Sequence, residues 1–480
     1  MIPLLGRERT IAPPGYSRWL VPPAALAVHL SIGQAYALSV FNLPLTRLVG
    51  RDHSAPGDWP LSATIWMFNI AFFFLGASAA MFGTWVERAG PRAAMAASAA
   101  CFSSGFFVSA LAVKLHSLPL LYAGYGVLGG IGLGLGYIAP VSTLIKWFPD
   151  RPGMATGMAI MGFGGGAMIG SPLGVTLMKR FSSDASNGVA ETFVAMGIVY
   201  LAMMSFGAAT VRVPRDAPQG AAHAAHATGA TAAEAIRTRG FWMVWIVLFA
   251  NVTAGIGILG QASPMIQEMF GESPEAAAGF VGLLSLWNLA GRFAWSSTSD
   301  RIGRKPTYAI YLGLGMVLYA AVPTTKHLGS SWLFVVCMCV ILSMYGGGFA
   351  TVPAYLRDLF GTKQVGAIHG RLLTAWSSAA LVGPTVVTYA REHQIARGVP
   401  KSEAYSMTMY ALVGLLAIGL VANLRVPRAA PLTRAAATPI EVQGTAAPPM
   451  ARLVLYWLVV AIPMSWGVAQ VVTKSLALFH

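Results

Sequence analysis

Arg292 stands in an apolar stretch, 277–295, four residues after Asn288 and eight before Asp300. On a helix, eight residues place it about 12 Å from the charged end of that stretch. An Arg at such depth in lipid costs roughly 2.5–3.5 kcal/mol on insertion scales, so it must face a cavity or a partner. No acidic residue in a neighbouring stretch is placed to pair with it. A free guanidinium fork suits a carboxylate, which it holds through two parallel hydrogen bonds. Anion binding is therefore expected ahead of snorkelling to the inner interface. Asn288 lies one turn earlier on the same face, where it can orient Arg292 or bond the anion itself.

Other polar or aromatic candidates in apolar stretches are His29, Gln34 and Tyr36 early in the chain, then Tyr137, Tyr345 and Trp376. Tyr and Trp combine an apolar wall with a single donor, which fits a small organic anion, although each taken singly is more often a packing group. His29 titrates near neutrality; a bond to a neighbouring helix is its expected role. Arg371 sits six residues into its stretch, where snorkelling and an inner gate are equally open readings. None of the seventeen acidic residues falls near the middle of an apolar stretch. The chain thus offers no intramembrane carboxylate as a proton relay or cation ligand.

The elements that must position these groups are announced by a repeat. GTWVERAGPR at 83–92 and SSTSDRIGRK at 296–305 read as copies 213 positions apart. In each, an acid (Glu87, Asp300) precedes an Arg (Arg88, Arg301). A turn glycine (Gly90, Gly303) and a basic end (Arg92; Arg304 and Lys305) follow. Matching charged loops in two apolar halves point to a transporter built from two repeats. Acid and Arg are expected to pair where two helices leave the membrane, holding one gating state. A single such loop would be an ordinary positive-inside loop, but two in register ask for more.

Composition agrees. Hydrophobic residues make up 56% and charged residues 10%, with mean hydropathy +0.63. Soluble chains carry about 25% charged residues. The net charge of +15 does not imply nucleic acid. With the N-terminus inside, Lys and Arg favour the inner segments by roughly two to one, the positive-inside pattern. Cys101, Cys337 and Cys339 lie in apolar stretches and give neither a disulfide framework nor a metal spacing.

Apolar runs of membrane-crossing length occupy 19–46, 61–85, 93–113, 119–146, 154–177 and 193–213, then 241–269, 277–295, 307–323, 332–356, 365–390 and 405–425. The expected fold is all-α: two pseudosymmetric six-helix bundles, 19–213 and 241–425. A cytoplasmic N-terminus (1–18) precedes them and a central linker (214–240) joins them. His223 and His226 in that linker read as solvated rather than metal-binding. A second linker, 426–452, leads to the segment 453–480, whose run 453–472 is expected to cross as a thirteenth span on the outside of the bundles. The glycine runs at 129–136 and 162–166 lie inside helices, so they read as close-packing faces and not as nucleotide loops. Pro140, Pro172 and Pro384 share such stretches and can hinge them.

At these residues the chain resembles the major facilitator superfamily and, more closely, its oxalate/formate antiporter family, over nearly all of 19–425. The resemblance is carried by VHLSIGQAYALSVF, GTWVERAGPR, KWFPDRPGMATGMAIMGFG and GRFAWSSTSDRIGRK. It implies that Arg292 contacts an anionic substrate. Oxalate carriers of that family add a Lys in the eleventh span, within a TAK sequence; here the matching residues are Thr374, Ala375 and Trp376. With that charge missing, a monocarboxylate such as formate, lactate or pyruvate is expected ahead of oxalate. Related animal monocarboxylate transporters typically carry an Asp where this chain has Asn288. The terminal run is similar to single-span small subunits of some bacterial members.

The expectation is therefore a carrier of small carboxylate anions by alternating access, neither an enzyme nor a cofactor protein, monomeric, in a bacterial inner membrane. Exchange and proton-accompanied movement both stay open. Drug export and nutrient sensing on a transporter scaffold are the alternatives.

Overall fold

A computed structural model describes residues 6–50, 55–183, 186–215, 229–259, 262–272, 274–427 and 450–475. His223 and His226 lie outside the described residues. The first half contributes α1 (Val21–Ile32), α2 (Leu61–Ala89), α3 (Pro91–Lys114), α4 (Gly130–Trp147), α5 (Pro152–Phe181) and α6 (Val189–Thr210). The second contributes α7 (Arg239–Leu259), α8 (Pro274–Ile302), α9 (Arg304–His327), α10 (Ser331–Phe360), α11 (Thr374–Ala396) and α12 (Ser406–Leu424), and α13 (Met450–Ser475) follows.

The packing is as repetitive as the sequence. In the first half α1 packs on α5, α2 on α4 and α3 on α6; raising each number by six gives the pairs of the second half. Across the two bundles α5 meets α8, and α11 with the segment before it meets α2, again one relation repeated. Large apolar side chains such as Trp66, Met81, Ile198, Val317, Trp332 and Ile418 are exposed on the outer faces. Lipid tails are as apolar as these groups, so such a surface needs no burial.

Two predicted spans are interrupted. The first continues from α1 into a 3-10 turn, Gly33–Ala37, and a short helix, Ser39–Leu45. The eleventh begins as Val365–Leu372 before α11, and Ala262–Phe270 belongs to the seventh. The fourth starts with a π-helical run, Tyr122–Gly129. Pro140, Pro172 and Pro384 instead lie within continuous helices. Ten helices among the described residues are long and apolar enough to cross a membrane. The first, eighth and eleventh predicted spans fall outside that set: α1 is short, and α8 and α11 are diluted by polar side chains.

The duplicated loops turn at glycines with φ +89° (Gly90) and +92° (Gly303), where L side chains are disfavoured. Their charges do not pair as the sequence suggested. Glu87 bonds Lys146 on α4 at 3.1 Å, and Asp300 bonds Arg304 at 2.6 Å. Arg88 and Arg301 form no ion pair among the described residues. Adjacent helical residues point about 100° apart, so an acid and the Arg directly after it cannot face one partner. Each acid reaches across to the other bundle instead. Asp300 accepts the amides of Gly153 and Met154 (2.8 and 2.9 Å) at the start of α5, and Glu87 accepts that of Gly366 (3.2 Å) at the start of Val365–Leu372. Gly153 and Gly366 are also 213 positions apart. A carboxylate at a helix N-terminus satisfies orphan amides and meets the positive end of the dipole.

The basic ends act within each bundle. Arg92 donates to the carbonyl of Ala209 late in α6, and Lys305 to those of Leu424 and Val426 at the end of α12. Arg304 also bonds Ser299 and Asp358. Arg371 bonds the Ala367 carbonyl one turn back on its own helix and no acid among the described residues, so neither ion pairing nor a gate contact is seen there. The amide contacts of Asp300 and Glu87 are the ones that draw the bundles together at the end that carries the two charged loops, called the loop end below.

α13 lies outside the twelve-helix body, as expected, but across the seam between the halves: it touches α1, α5 and α8. Val460 is buried with Leu26, Ala27 and Leu30, Gly467 faces Met168 and Ile169, and Val471 rests on Gly282. Contact among apolar groups in lipid gains packing rather than water release.

Two outcomes are expected. Asp300→Ala removes a helix cap worth about 0.5–2 kcal/mol and should raise maleimide labelling of a cysteine placed at Ala350 in a cysteine-free background; unchanged labelling would contradict the closure described. Deleting 450–480 should lower Tm by more than about 3 °C, with substrate preference unchanged; an unaltered Tm would contradict the seam contact.

Candidate functional site

Arg292 is fully buried, with 0% of its surface exposed, so it does not snorkel. Glycine faces make room for it. A Cβ at Gly157 would lie 2.9 Å from the Arg292 carbonyl oxygen, and one at Gly346 3.1 Å from Arg292 Cγ. α5 and α10 therefore approach α8 from two sides, with Gly164 beside Asn288.

The guanidinium is held on one side and open on the other. Nε donates to Asn288 Oδ1 at 2.8 Å, and Nη1 to the Ile160 carbonyl oxygen at 3.3 Å. Nη2 meets hydrogen-bond geometry with no group among the described residues, although the Tyr36 and Tyr137 hydroxyls lie beside the guanidinium. The Phe163 and Phe349 rings flank it, their centroids 5.6 and 5.4 Å from the guanidinium carbon. Such faces attract a cation without neutralising it.

Trp376 closes the far side, with 0% exposure. Its ring centroid is 4.4 Å from that of Phe349, 5.3 Å from Phe163, and 5.4 Å from both Phe72 and Tyr137. Its Nε1 and the Tyr137 hydroxyl also meet hydrogen-bond geometry with no group among the described residues. Tyr36 and Tyr345 join hydroxyls across the bundles at 3.0 Å, and the Tyr36 and Tyr137 hydroxyls sit next to the guanidinium. A second inter-bundle link runs from Ser377 Oγ to the Phe72 carbonyl at 2.9 Å. The result is an aromatic box with one cation and several unpaired donors. Its chemistry suits an anion with a small apolar body.

Of the sequence candidates, Arg292, Asn288, Tyr36, Tyr137, Tyr345 and Trp376 gather here. Gln34 does not face the guanidinium: its Oε1 accepts from Tyr125 inside the first bundle. A 3-10 turn advances about 120° per residue, so positions 34 and 36 look different ways. His29 lies behind Tyr137, bonded to its backbone. The gate candidates are all at the loop end.

The sequence reading passed over Phe163, Phe349, Phe72 and His369. Phe163 sits inside one glycine run and Phe349 directly follows another, Gly346–Gly348; an aromatic among glycines in a buried helix was the available signal. His369 is as buried as His29, so His29 is not alone among imidazoles near the site.

The description of the Major Facilitator Superfamily matches residues 16–384. The oxalate:formate antiporter of Oxalobacter formigenes is 28% identical over 305 residues, 63% of this chain and 69% of that protein. The uncharacterized MFS-type transporter YhjX of Escherichia coli K12 is 27% identical over 74% of this chain and 83% of its own. Apicoplast pyruvate carrier 1 of Toxoplasma gondii is 24% identical over 68% and 70%. Among solved structures, the proton:xylose symporter XylE superposes with a TM-score of 0.61 at 15% identity, covering 87% of this chain and 98% of XylE. The repeated helix pairs, the duplicated loops and these matches agree: the chain belongs to the major facilitator superfamily.

Proposed function

We propose that this membrane transporter carries small monocarboxylates, formate, lactate or pyruvate among them, by alternating access across a bacterial inner membrane, with its N-terminus in the cytoplasm. The observation that carries the reading is the buried Arg292 guanidinium inside an aromatic box, which among the described residues has no carboxylate partner and leaves Nη2 outside hydrogen-bond geometry. An unpaired buried cation is costly, and a bound carboxylate satisfies both charge and hydrogen bond. Trp376, in place of a second cation, argues for one negative charge. The unpaired Trp376 and Tyr137 donors are available to the second carboxylate oxygen or to an adjacent hydroxyl or keto group. The relatives named for oxalate, formate and pyruvate support the substrate class. The inter-bundle bonds at Asp300, Glu87, Thr156 and Arg357 would have to break when the loop end opens. The matching bonds of the two halves make rocking about the central site the simplest motion.

Two measurements test this. In proteoliposomes, Arg292→Lys should cut carboxylate exchange at least about tenfold while the protein stays folded and monodisperse, because Lys cannot keep the Asn288 and Ile160 bonds and still present a free N–H pair. Near-normal exchange would remove Arg292 from the site. In direct competition the wild-type protein should prefer a monocarboxylate to oxalate, and Trp376→Lys should shift that preference toward the dianion; wild-type preference for oxalate would show the charge count to be wrong.

A further inference from the structure

His29 on α1 and His369 on Val365–Leu372 come from opposite bundles and meet on two sides of Tyr137. The His29 ring stacks on that of Tyr137, centroids 5.3 Å apart and planes 22° from parallel; the His369 centroid is 5.7 Å from the same ring. Both imidazoles are buried, at 0% and 1% exposure. His29 Nε2 lies 3.2 Å from the Tyr137 carbonyl oxygen. A carbonyl only accepts, so Nε2 carries the hydrogen, and the neutral ring then keeps Nδ1 as a bare lone pair. No donor among the described residues reaches that nitrogen. The carbonyls of Ala159 and Gly136 also border the ring. Burial away from water opposes a charge on this ring, and the carbonyl oxygens around its bare nitrogen are what favour one, because the imidazolium has two N–H groups to give them. His369 Nε2 likewise has no partner among the described residues.

The charged neighbours set the condition for protonation. α8 contributes Arg292, whose positive charge acts on His29. α4 contributes Tyr137 and, toward the loop end, Lys146, which is paired with Glu87 of α2. Glu87 also accepts the Gly366 amide, three residues before His369. α5 offers the Ala159 carbonyl. On α10, Arg357 is engaged with the Pro149 carbonyl and Asp358 with Arg304, and Arg371 bonds its own helix. With the anion site empty, Arg292 opposes a second cation beside it. A carboxylate on Arg292 cancels that opposition, so anion and proton each favour the other's binding.

We propose that His29, backed by Tyr137 and His369, is a proton-binding site whose occupation is coupled to the anion on Arg292, so that one proton travels with each monocarboxylate. The proton enters from one aqueous side, forms the Nδ1–H bond of His29, and leaves that nitrogen for the other side once the carrier has turned. His369, between the cluster and the Glu87–Lys146 pair, lies on the way to the loop end. The inference rests on Arg292 as the anion site.

The test uses the full chain in proteoliposomes with radiolabelled pyruvate, against protein-free vesicles. Exchange at equal pH needs no net proton movement; accumulation under an inwardly directed gradient of one pH unit does. Wild-type protein should do both, with accumulation rising up to about tenfold. His29→Gln should lose the rise while its exchange, weakened by the lost coupling, still exceeds that of protein-free vesicles, and His369→Gln should slow gradient-driven uptake more than exchange. Detergent-purified wild-type protein should also take up about one proton per pyruvate bound, read with a pH indicator dye; this arm stands even where His29→Gln fails to fold. A gradient response that persists in His29→Gln, or wild-type binding without proton uptake, overturns the inference. Absence of wild-type exchange with pyruvate, formate, lactate and oxalate alike overturns the anion reading beneath it.

Discussion

A guanidinium kept from water without a carboxylate is the constraint around which this molecule is arranged. Moving an ion-sized charge out of water carries a penalty of several kcal/mol even after relaxation. The fold offsets part of it with two hydrogen bonds, from Nε to Asn288 and from Nη1 to Ile160, and with the faces of Phe163 and Phe349. It leaves Nη2 without a hydrogen bond and the charge without a carboxylate among the described residues. That residue of unsatisfied charge is what a substrate can supply. It also explains the glycines: only helices that come very near α8 can deliver a backbone carbonyl and two ring faces to one side chain.

The same economy appears in how the bundles close. Asp300 and Glu87 hold the first amides of helices in the opposite bundle, at sites related by the repeat. Neither contact needs a buried salt bridge between bundles, so each can part without stranding a bare charge in lipid. Their ion partners, Arg304 and Lys146, stay on the acids' own bundles. The centre is joined differently, by Tyr36 with Tyr345 and by Ser377 with Phe72. Neutral hydroxyl contacts of this kind contribute about 0.5–1.5 kcal/mol each, a size that substrate binding can outweigh. α13 adds a third kind of link, side-chain packing across the seam of α5 and α8.

Much of this was legible in the sequence, for identifiable reasons. The loop repeat gave the two halves because Gly90 and Gly303 occupy backbone conformations that few residues accept. Arg292 stood out because lipid tolerates so few charges. What stayed hidden depended on direction. The partners of Glu87 and Asp300 are backbone amides across an interface, and amides leave no mark in a sequence. Gln34 and Tyr36 looked equivalent until the 3-10 turn Gly33–Ala37 sent them to different neighbours. Phe163 and Phe349 were masked by the glycines beside them, whose packing role was the more obvious. His369 was missed because the break at Leu373, between Val365–Leu372 and α11, sets its facing apart from that of Trp376.

The central claim concerns one nitrogen. A structure of the protein determined with a bound monocarboxylate such as pyruvate tests it directly. The account requires a carboxylate oxygen about 2.7–2.9 Å from Arg292 Nη2, between Phe163 and Phe349 and within reach of Trp376 Nε1 or the Tyr137 hydroxyl. A carboxylate bound elsewhere in the chain, with Nη2 still unpartnered, would contradict it.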